Sequence, residues 1–252
     1  MQNPTVRDLV SWWALEEDSG DAADSHGTNH LTRSGTINNA DAKQGKGINF
    51  QNISGRYLSL ANNESVNFGH EDFTIGCWFK PEALYGGDPE DDYPMPFIHK
   101  GNIGGATYYE YFLGASVSKK VILKTKGGGI EWGSVMTTGN WYFAVGWHVA
   151  SENKSYLQVN NGSALSYTDT QGGGTTPGDE YFPFYNDIRF GRHARIGVEA
   201  GIKGIVDEMF VYRRALNDDE RSWLYNDGMG RAYNNLKDSG VSFVDLSGYG
   251  VM

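Results

Sequence analysis

The sequence has a single cysteine and no long apolar run. Cys77 is the only cysteine among 252 residues, so an intrachain disulfide is excluded. It lies in the apolar stretch FTIGCWF, which predicts a small buried core residue rather than a reactive thiol. No stretch reaches the roughly 20 consecutive apolar residues that are needed to span a bilayer. The first residues, MQNPTVRDLVSWW, lack the basic and then apolar pattern of a signal peptide, so no export signal is expected in this chain.

Clusters of basic residues are also missing. The chain has 21 Lys and Arg against 31 Asp and Glu, which gives a formal net charge of −10 at pH 7. Nucleic acids and anionic membranes attract basic surfaces, so both are poor candidates as partners of this chain.

Glycine and aromatic residues are abundant instead. The chain has 34 glycines, and 13% of its residues are aromatic. This combination favours short strands joined by tight turns. Runs of β type recur along the chain, among them GINFQ, RYLSLA, FTIGCWFKP, WYFAVGWHVA and IVDEMFVYRR, with Gly, Asn and Asp between them. The spacing predicts an all-β fold, a sandwich or jelly roll.

One short helix is predicted near the C-terminus. Asn217 is a suitable N-cap, Glu220 completes a capping box, and Gly228 supplies the stop. The acidic, proline-rich stretch 84–96 is predicted to be a long exposed loop. The tail 229–252 is too apolar for a linker and too short for a domain, so a docking segment and a loosely packed tail both stay open.

The strand that precedes this helix, GIVDEMFVY, contains an acid among apolar residues. Side chains alternate along a strand, so Asp207 is predicted to share a face with Met209 and Val211, and Glu208 to take the other face with Val206.

Five stretches in order resemble the LamG-like jelly-roll family of the concanavalin A-like lectin/glucanase superfamily. They are WWALEEDSGDAADSHGTNH, GKGINFQNISGRYLSL, FTIGCWFKP, GNWYFAVGWHVASENKSYLQVNNG and GIVDEMFVYRRALNDDERSWLYNDG. The last is similar to the family's G-x-I-D-E-V-x-I-Y-x-R-A-L closure. The resemblance implies an antiparallel two-sheet jelly-roll β-sandwich with one short C-terminal helix, a domain over residues 1–228, and a binding or adhesive role.

The resemblance also implies a structural calcium ion. Matched by position, its ligands are Asp24 of the first loop and Asp207 of the closing strand, with a backbone carbonyl near Asn29 or His30 as a further ligand. Calcium takes six to eight hard oxygen ligands, and the first loop offers Asp21, Asp24 and Asn29 toward them. From the residues alone, a second interpretation stays open: Asp207 accepts backbone hydrogen bonds or pairs with a nearby cation.

Motifs for catalysis are not found. Glycosidases need two carboxylates facing each other across the scissile bond, and no strand here carries acids in same-face spacing. No H-E-x-x-H, G-x-S-x-G or phosphate-binding glycine motif occurs either. The chain is therefore expected to be a non-enzyme.

Carbohydrate is the expected ligand class, because sugar rings stack on aromatic side chains while Asn, Asp and glycine-rich loops bind hydroxyl groups. The candidate aromatic residues on predicted loops are Tyr93, Tyr109, Trp132, Tyr181 and Tyr185.

LamG-like domains usually work outside cells, yet this chain shows no export signal. Display on the surface of a phage virion, as a fibre or capsid decoration that binds surface glycans, would reconcile the two. Two alternatives stay open: a structural virion protein that associates with other virion proteins or itself, and the binding module of a secreted polysaccharide-degrading enzyme.

Overall fold

The computed structural model describes residues 1–51, 53, 55–84, 95–101, 109–173, 188–190 and 203–237, with the backbone alone at positions 109 and 189. In chain order the strands are β1 (Leu9–Trp13), β2 (Thr32–Ser34), β3 (Asn38–Asp41), β4 (Lys46–Gln51), β5 (Tyr57–Leu60), β6 (Phe73–Ala83), β7 (Met95–Gly101), β8 (Tyr109–Ala115), β9 (Val121–Thr125), β10 (Gly128–Glu131), β11 (Tyr142–Val149), β12 (Lys154–Val159), β13 (Leu165–Thr168), β14 (Ile188–Phe190) and β15 (Lys203–Tyr212). The helices are α1 (Asp218–Tyr225) and α2 (Tyr233–Lys237).

These strands form two antiparallel sheets. The first sheet has the order β13-β12-β11-β6-β15-β4-β3, and β1 also pairs with β15. The second has the order β10-β9-β8-β7-β14-β5-β2. Consecutive strands pair within the runs β7 to β10 and β11 to β13, and the chain crosses from one sheet to the other between β4 and β7 and again between β10 and β11. The predicted all-β sandwich is confirmed.

The hydrophobic residues that the structure describes form two cores, one on each face of the first sheet. The main core lies between the sheets and includes Cys77, which is fully buried as predicted. The second core lies on the outer face of the first sheet, beneath α1 and α2, and is dominated by the aromatic side chains of Trp12, Trp78, Phe143, Trp147, Phe210, Tyr212 and Tyr233. The first sheet is therefore apolar on both faces.

Helix α1 confirms the predicted start but not the predicted stop. The Asn217 side chain accepts from the backbone N–H of Glu220, and the Glu220 carboxylate accepts in return from the backbone N–H of Asn217. The helix ends earlier than Gly228, because Asn226 adopts a left-handed conformation with φ 50°. Asparagine tolerates this conformation well, so it ends the helix as a glycine would.

Part of the predicted tail packs on the second core. Residues 229–237 are described, and Tyr233 and Leu236 of α2 are buried there. Most of the predicted loop 84–96 lies outside the described residues, and its last two residues begin β7. Among the residues that the structure describes, no helix is long and apolar enough to cross a bilayer.

Strand β15 changes partners in its middle. Its first part, Lys203–Val206, pairs with β4, and its last part, Met209–Tyr212, pairs with β1. Between the two parts, Glu208 has a φ of 46°, which is unusual for a residue with a side chain. The pairing with β6 also shifts here by one residue, as in a β-bulge.

The bulge changes which face each side chain takes, so the predicted grouping of Asp207 with Met209 and Val211 is wrong. Met209 and Val211 lie in the main core together with Val206. Asp207 is directly opposite Trp78, a residue of the second core, and therefore lies on the outer face. One extra residue reverses the alternation on which the prediction depended.

Candidate functional site

The Asp24 carboxylate organises the first loop. Its Oδ1 accepts from the backbone N–H groups of Trp12 and His26, both at 3.0 Å. Its Oδ2 accepts from the backbone N–H of Asn29 at 3.1 Å. Three donors on one buried carboxylate hold the loop against β1.

Asn29 is buried in a second set of contacts. Its amide nitrogen donates to the hydroxyl groups of Ser11 at 2.8 Å and Ser65 at 3.0 Å. Its amide oxygen accepts from Asn63 at 3.2 Å, and its backbone oxygen accepts from the Trp13 indole at 2.6 Å. Asn29 thus links the first loop to β1 and to the segment that follows β5.

Asp207 is fully buried beneath the turn between β3 and β4. Its carboxylate accepts from the backbone N–H of Gln44 and of Glu208, each at 2.8 Å. Burial raises the pKa of Asp207 to about 7, and the nearby Glu16 acts in the same direction, while the backbone N–H groups of Gln44, Glu208 and Lys43 oppose the shift. Burial of the charged form is thus the dominant effect on this carboxyl group.

Glu208 is a buried acid that the sequence pattern did not single out. One oxygen accepts from the indole N–H of Trp12, and the other, Oε1, has no hydrogen-bond partner in the described part of the chain. Burial and the adjacent Asp207 raise the pKa of Glu208 well above its usual range. Its side chain lines a narrow crevice in the second core, with Trp12, Trp78, Phe143, Phe210, Leu224 and Arg231.

The three predicted calcium ligands fall into two sets of contacts. Asp24 and Asn29 are joined by a hydrogen bond, whereas Asp207 is joined to Gln44 and Glu208. Among the residues described, no three His, Cys, Asp or Glu side chains converge on a point that a metal ion would occupy. Oxygen atoms are the ligands that calcium prefers, but the side-chain oxygens of Asp24, Asn29 and Asp207 already accept hydrogen bonds from backbone or side-chain groups. Calcium binding stays a prediction.

A buried Ser, His and Asp lie together near the ends of β11, β12 and β13. Ser155 Oγ lies 3.1 Å from His148 Nδ1 and donates to Asp169 Oδ2 at 2.5 Å. In a hydrolase triad the acid binds the histidine and the serine stays exposed to substrate. Here all three are fully buried, the acid accepts from the serine, and Asp169 Oδ2 lies 3.6 Å from His148 Nδ1, so the arrangement differs from that of a triad. Burial lowers the pKa of His148.

Four of the five predicted ligand-binding aromatic residues cannot be placed. Tyr93, Tyr181 and Tyr185 lie outside the described residues, and Tyr109 begins β8 with its side chain outside them. The prediction for these four residues therefore stays a prediction.

Trp132 is the fifth residue, and it follows β10. It is partly buried against the main core, and its ring meets the edge of the Tyr142 ring with centroids 6.0 Å apart. Its backbone N–H donates to the backbone oxygen of Val121 at 2.8 Å, which fixes the residue to β9. The exposed residues 133–135 follow it in the chain.

Comparisons with known proteins agree with this fold. No curated protein sequence matches the chain. The binding domain of Paraclostridial Mosquitocidal Protein 1 has a TM-score of 0.65 at 16% identity, over 88% of this chain and 52% of that one, so this chain spans about half of its length. Domain 4 of AbnA, an extracellular arabinanase from Geobacillus stearothermophilus, solved with arabinotriose, has a TM-score of 0.60 at 14% identity, over 89% of this chain and 98% of that one. Trypanosoma rangeli sialidase with sialic acid has a TM-score of 0.63 at 13% identity, over 92% of this chain and 35% of that one.

Because the sequence identities are so low, these structural similarities establish a shared fold and nothing more. A family model gives the membership: the Laminin_G_3 model matches residues 52–220, more than half of the chain. That segment begins before β5 and ends inside α1, so it contains most strands of both sheets. The chain therefore belongs to the Laminin_G_3 family of the concanavalin A-like lectin/glucanases superfamily.

Proposed function

We propose that this protein is a non-catalytic carbohydrate-binding module. The observation that carries the proposal is the likeness to domain 4 of AbnA, because the two chains cover each other almost completely and that domain was solved with a bound oligosaccharide. A likeness of the whole unit is more informative here than one to a part of a larger protein.

The contacts of the buried acids support a binding role without catalysis. Glu110 pairs with Lys100 at 2.5 Å, and Glu220 pairs with Arg214 at 2.7 Å. Asp24, Asp169 and Asp207 accept backbone or hydroxyl hydrogen bonds, and Glu208 binds an indole. Each of these six carboxyl groups thus holds strands or loops together, and none faces another across a cleft as glycoside hydrolysis requires.

Trp132 is the ligand-contact residue that we propose among the described positions. A partly buried indole fixed to a rigid strand end is pre-ordered for stacking on a sugar ring, since little conformational entropy is lost on binding. Tyr109 begins a strand of the same sheet, and the undescribed Tyr93, Tyr181 and Tyr185 are proposed with it.

The larger protein or particle to which this module belongs is also a matter of proposal. The likeness to a domain of an extracellular arabinanase favours a module of a secreted polysaccharide-degrading enzyme as a second candidate. Virion display, association with other virion proteins and the calcium ion are proposals from the sequence resemblance.

Isothermal titration against neutral oligosaccharides, with arabinotriose as the first probe, tests the function. We expect saturable binding by the wild type, weakened about tenfold in Trp132→Ala, as for an interface anchor residue. Trp141→Ala is the matched control, because Trp141 is also a partly buried indole but packs on the second core. Equal affinities of wild type and Trp132→Ala would remove Trp132 from the site, and no binding to any oligosaccharide would contradict the function.

A further inference from the structure

An aromatic stack lies on the outer face of the first sheet. The Arg221 guanidinium lies 3.8 Å from the centroid of the Trp147 ring. The Tyr156 ring packs on the same indole with centroids 5.1 Å apart and 6° between the planes. Trp147 therefore contacts Arg221 and Tyr156 at once. We call these three residues the Tyr156 stack.

The outer end of this stack is open. Tyr156 is partly exposed and lies on β12, between Trp147 on β11 and Ser166 on the edge strand β13. Residues directly opposite each other in antiparallel strands project to the same face, so Ser166 borders the ring on the side away from the indole. A serine side chain is too short to cover an aromatic ring, and Ser166 is itself exposed. One face of the Tyr156 ring is therefore accessible along the sheet edge.

The stack is held in a fixed geometry from both ends. The Tyr156 hydroxyl donates to the carboxylate of Glu152, and this hydrogen bond raises the pKa of Tyr156 to about 12. At the other end, Arg221 donates to the Gln158 amide oxygen at 2.8 Å and to the backbone oxygen of Leu216. A ring whose rotamer is already fixed loses little entropy when it binds a ligand.

The groups around the open ring face suit a saccharide. An aromatic face carries partial negative charge and attracts the weakly positive C–H groups of a sugar ring. Glu152, Lys154 and Ser166 lie beside it, are exposed, and offer acceptors and donors for sugar hydroxyl groups. The chain carries a net charge of −10, which disfavours polyanionic ligands and leaves neutral glycans as the matching class.

We infer that Tyr156 and Ser166 form a saccharide-stacking subsite that binds one ring of a neutral glycan. The inference rests on the proposed carbohydrate-binding function and assigns it a second contact surface, on the outer face of the first sheet. Trp132 packs instead on the core between the sheets, so its ring and that of Tyr156 contact different cores.

The test is a substitution that covers the ring without removing it. In Ser166→Arg, the new guanidinium is expected to stack on the exposed face of Tyr156 as Arg221 stacks on Trp147. Thr36→Arg is the matched control, because Thr36 is an exposed hydroxyl residue between β2 and β3, at the opposite edge of both sheets. Titration with the neutral oligosaccharides that bind the wild type should show about tenfold weaker binding for Ser166→Arg and unchanged binding for Thr36→Arg. Tyr156→Ala should weaken binding to a similar degree, with circular dichroism as the check on folding.

The outcomes separate the subsite from the function. If the wild type binds a glycan and Ser166→Arg binds it equally well, the subsite is refuted while the proposed function stands. If the wild type binds none of the oligosaccharides, both are refuted. A further outcome is a wild type that runs as an oligomer in size-exclusion chromatography and that Ser166→Arg converts to a monomer. If glycan affinity is then unchanged, the surface is a protein contact and the inference is again overturned.

Discussion

The indole N–H of Trp12 donates to the buried carboxyl group of Glu208. The backbone N–H of Trp12 donates to Asp24. One residue of β1 thus connects the first loop to the bulge of β15, the two parts of the chain in which the sequence predicted shared calcium ligands. In the described structure this connection is made by hydrogen bonds.

Removing the indole donor should destabilise the fold. Trp12→Phe keeps an aromatic ring but leaves Glu208 without its hydrogen bond, at an expected cost of about 1–3 kcal/mol in the free energy of unfolding. Urea unfolding measures the change. In a Glu208→Met background the same substitution should cost less, because no carboxyl group is then left unpaired. Equal costs in both backgrounds would show that the hydrogen bond contributes nothing to the free energy of unfolding.

The stability of the protein should depend on the charge of Asp207. Its carboxyl pKa is about 7 in the folded state against 3.8 as the ordinary value, so the folded state holds a proton that the unfolded state releases above about pH 4. This group therefore stabilises the fold fully below about pH 4, and the contribution is lost as the pH rises through 7. Over that interval the loss is of the order of 3 kcal/mol.

Comparison of wild type with Asp207→Asn checks this dependence. Relative to Asp207→Asn, the unfolding free energy of the wild type, measured in EDTA, should fall as the pH rises from 4 to 8, because the carboxyl group ionises and the amide does not. Parallel curves would mean that the Asp207 carboxyl group titrates normally.

Calcium should raise the melting temperature if the predicted ion binds. A ligand that binds only the folded state stabilises it in proportion to the logarithm of its concentration over Kd. EDTA should lower the melting temperature of the wild type, calcium should restore it, and Asp207→Ala should remove the response. A wild type that melts at one temperature in EDTA and in calcium would refute the ion.

The segment after α1 should be part of the folded unit. Leu236→Ala removes a buried side chain from the second core and should cost about 2–4 kcal/mol. Asn234→Ala, at an exposed position of the same short helix, should stay within about 0.5 kcal/mol of the wild type. Thermal unfolding measures the stability of both variants. Two equally stable variants would show that α2 does not pack as described.

The sequence was sufficient for features that depend on local chemistry. The cap at Asn217 follows from a side chain that binds its own backbone, and the two-sheet antiparallel architecture follows from the family resemblance. The bulge at Glu208 could not be predicted, because no local signal marks a glutamate that adopts a positive φ. It arises where β15 exchanges β4 for β1, which is a tertiary event, and it decides the face that Asp207 occupies. The open face of Tyr156 depends in the same way on β13 being an edge strand.

The most direct measurement combines binding with a search for turnover. Purified protein is titrated with neutral oligosaccharides, including arabinotriose, and the same mixtures are assayed for new reducing ends after prolonged incubation. A non-catalytic carbohydrate-binding module should bind at least one of them saturably and release no reducing sugar. Absence of binding across the set, or steady release of reducing sugar by the purified chain, would contradict that function.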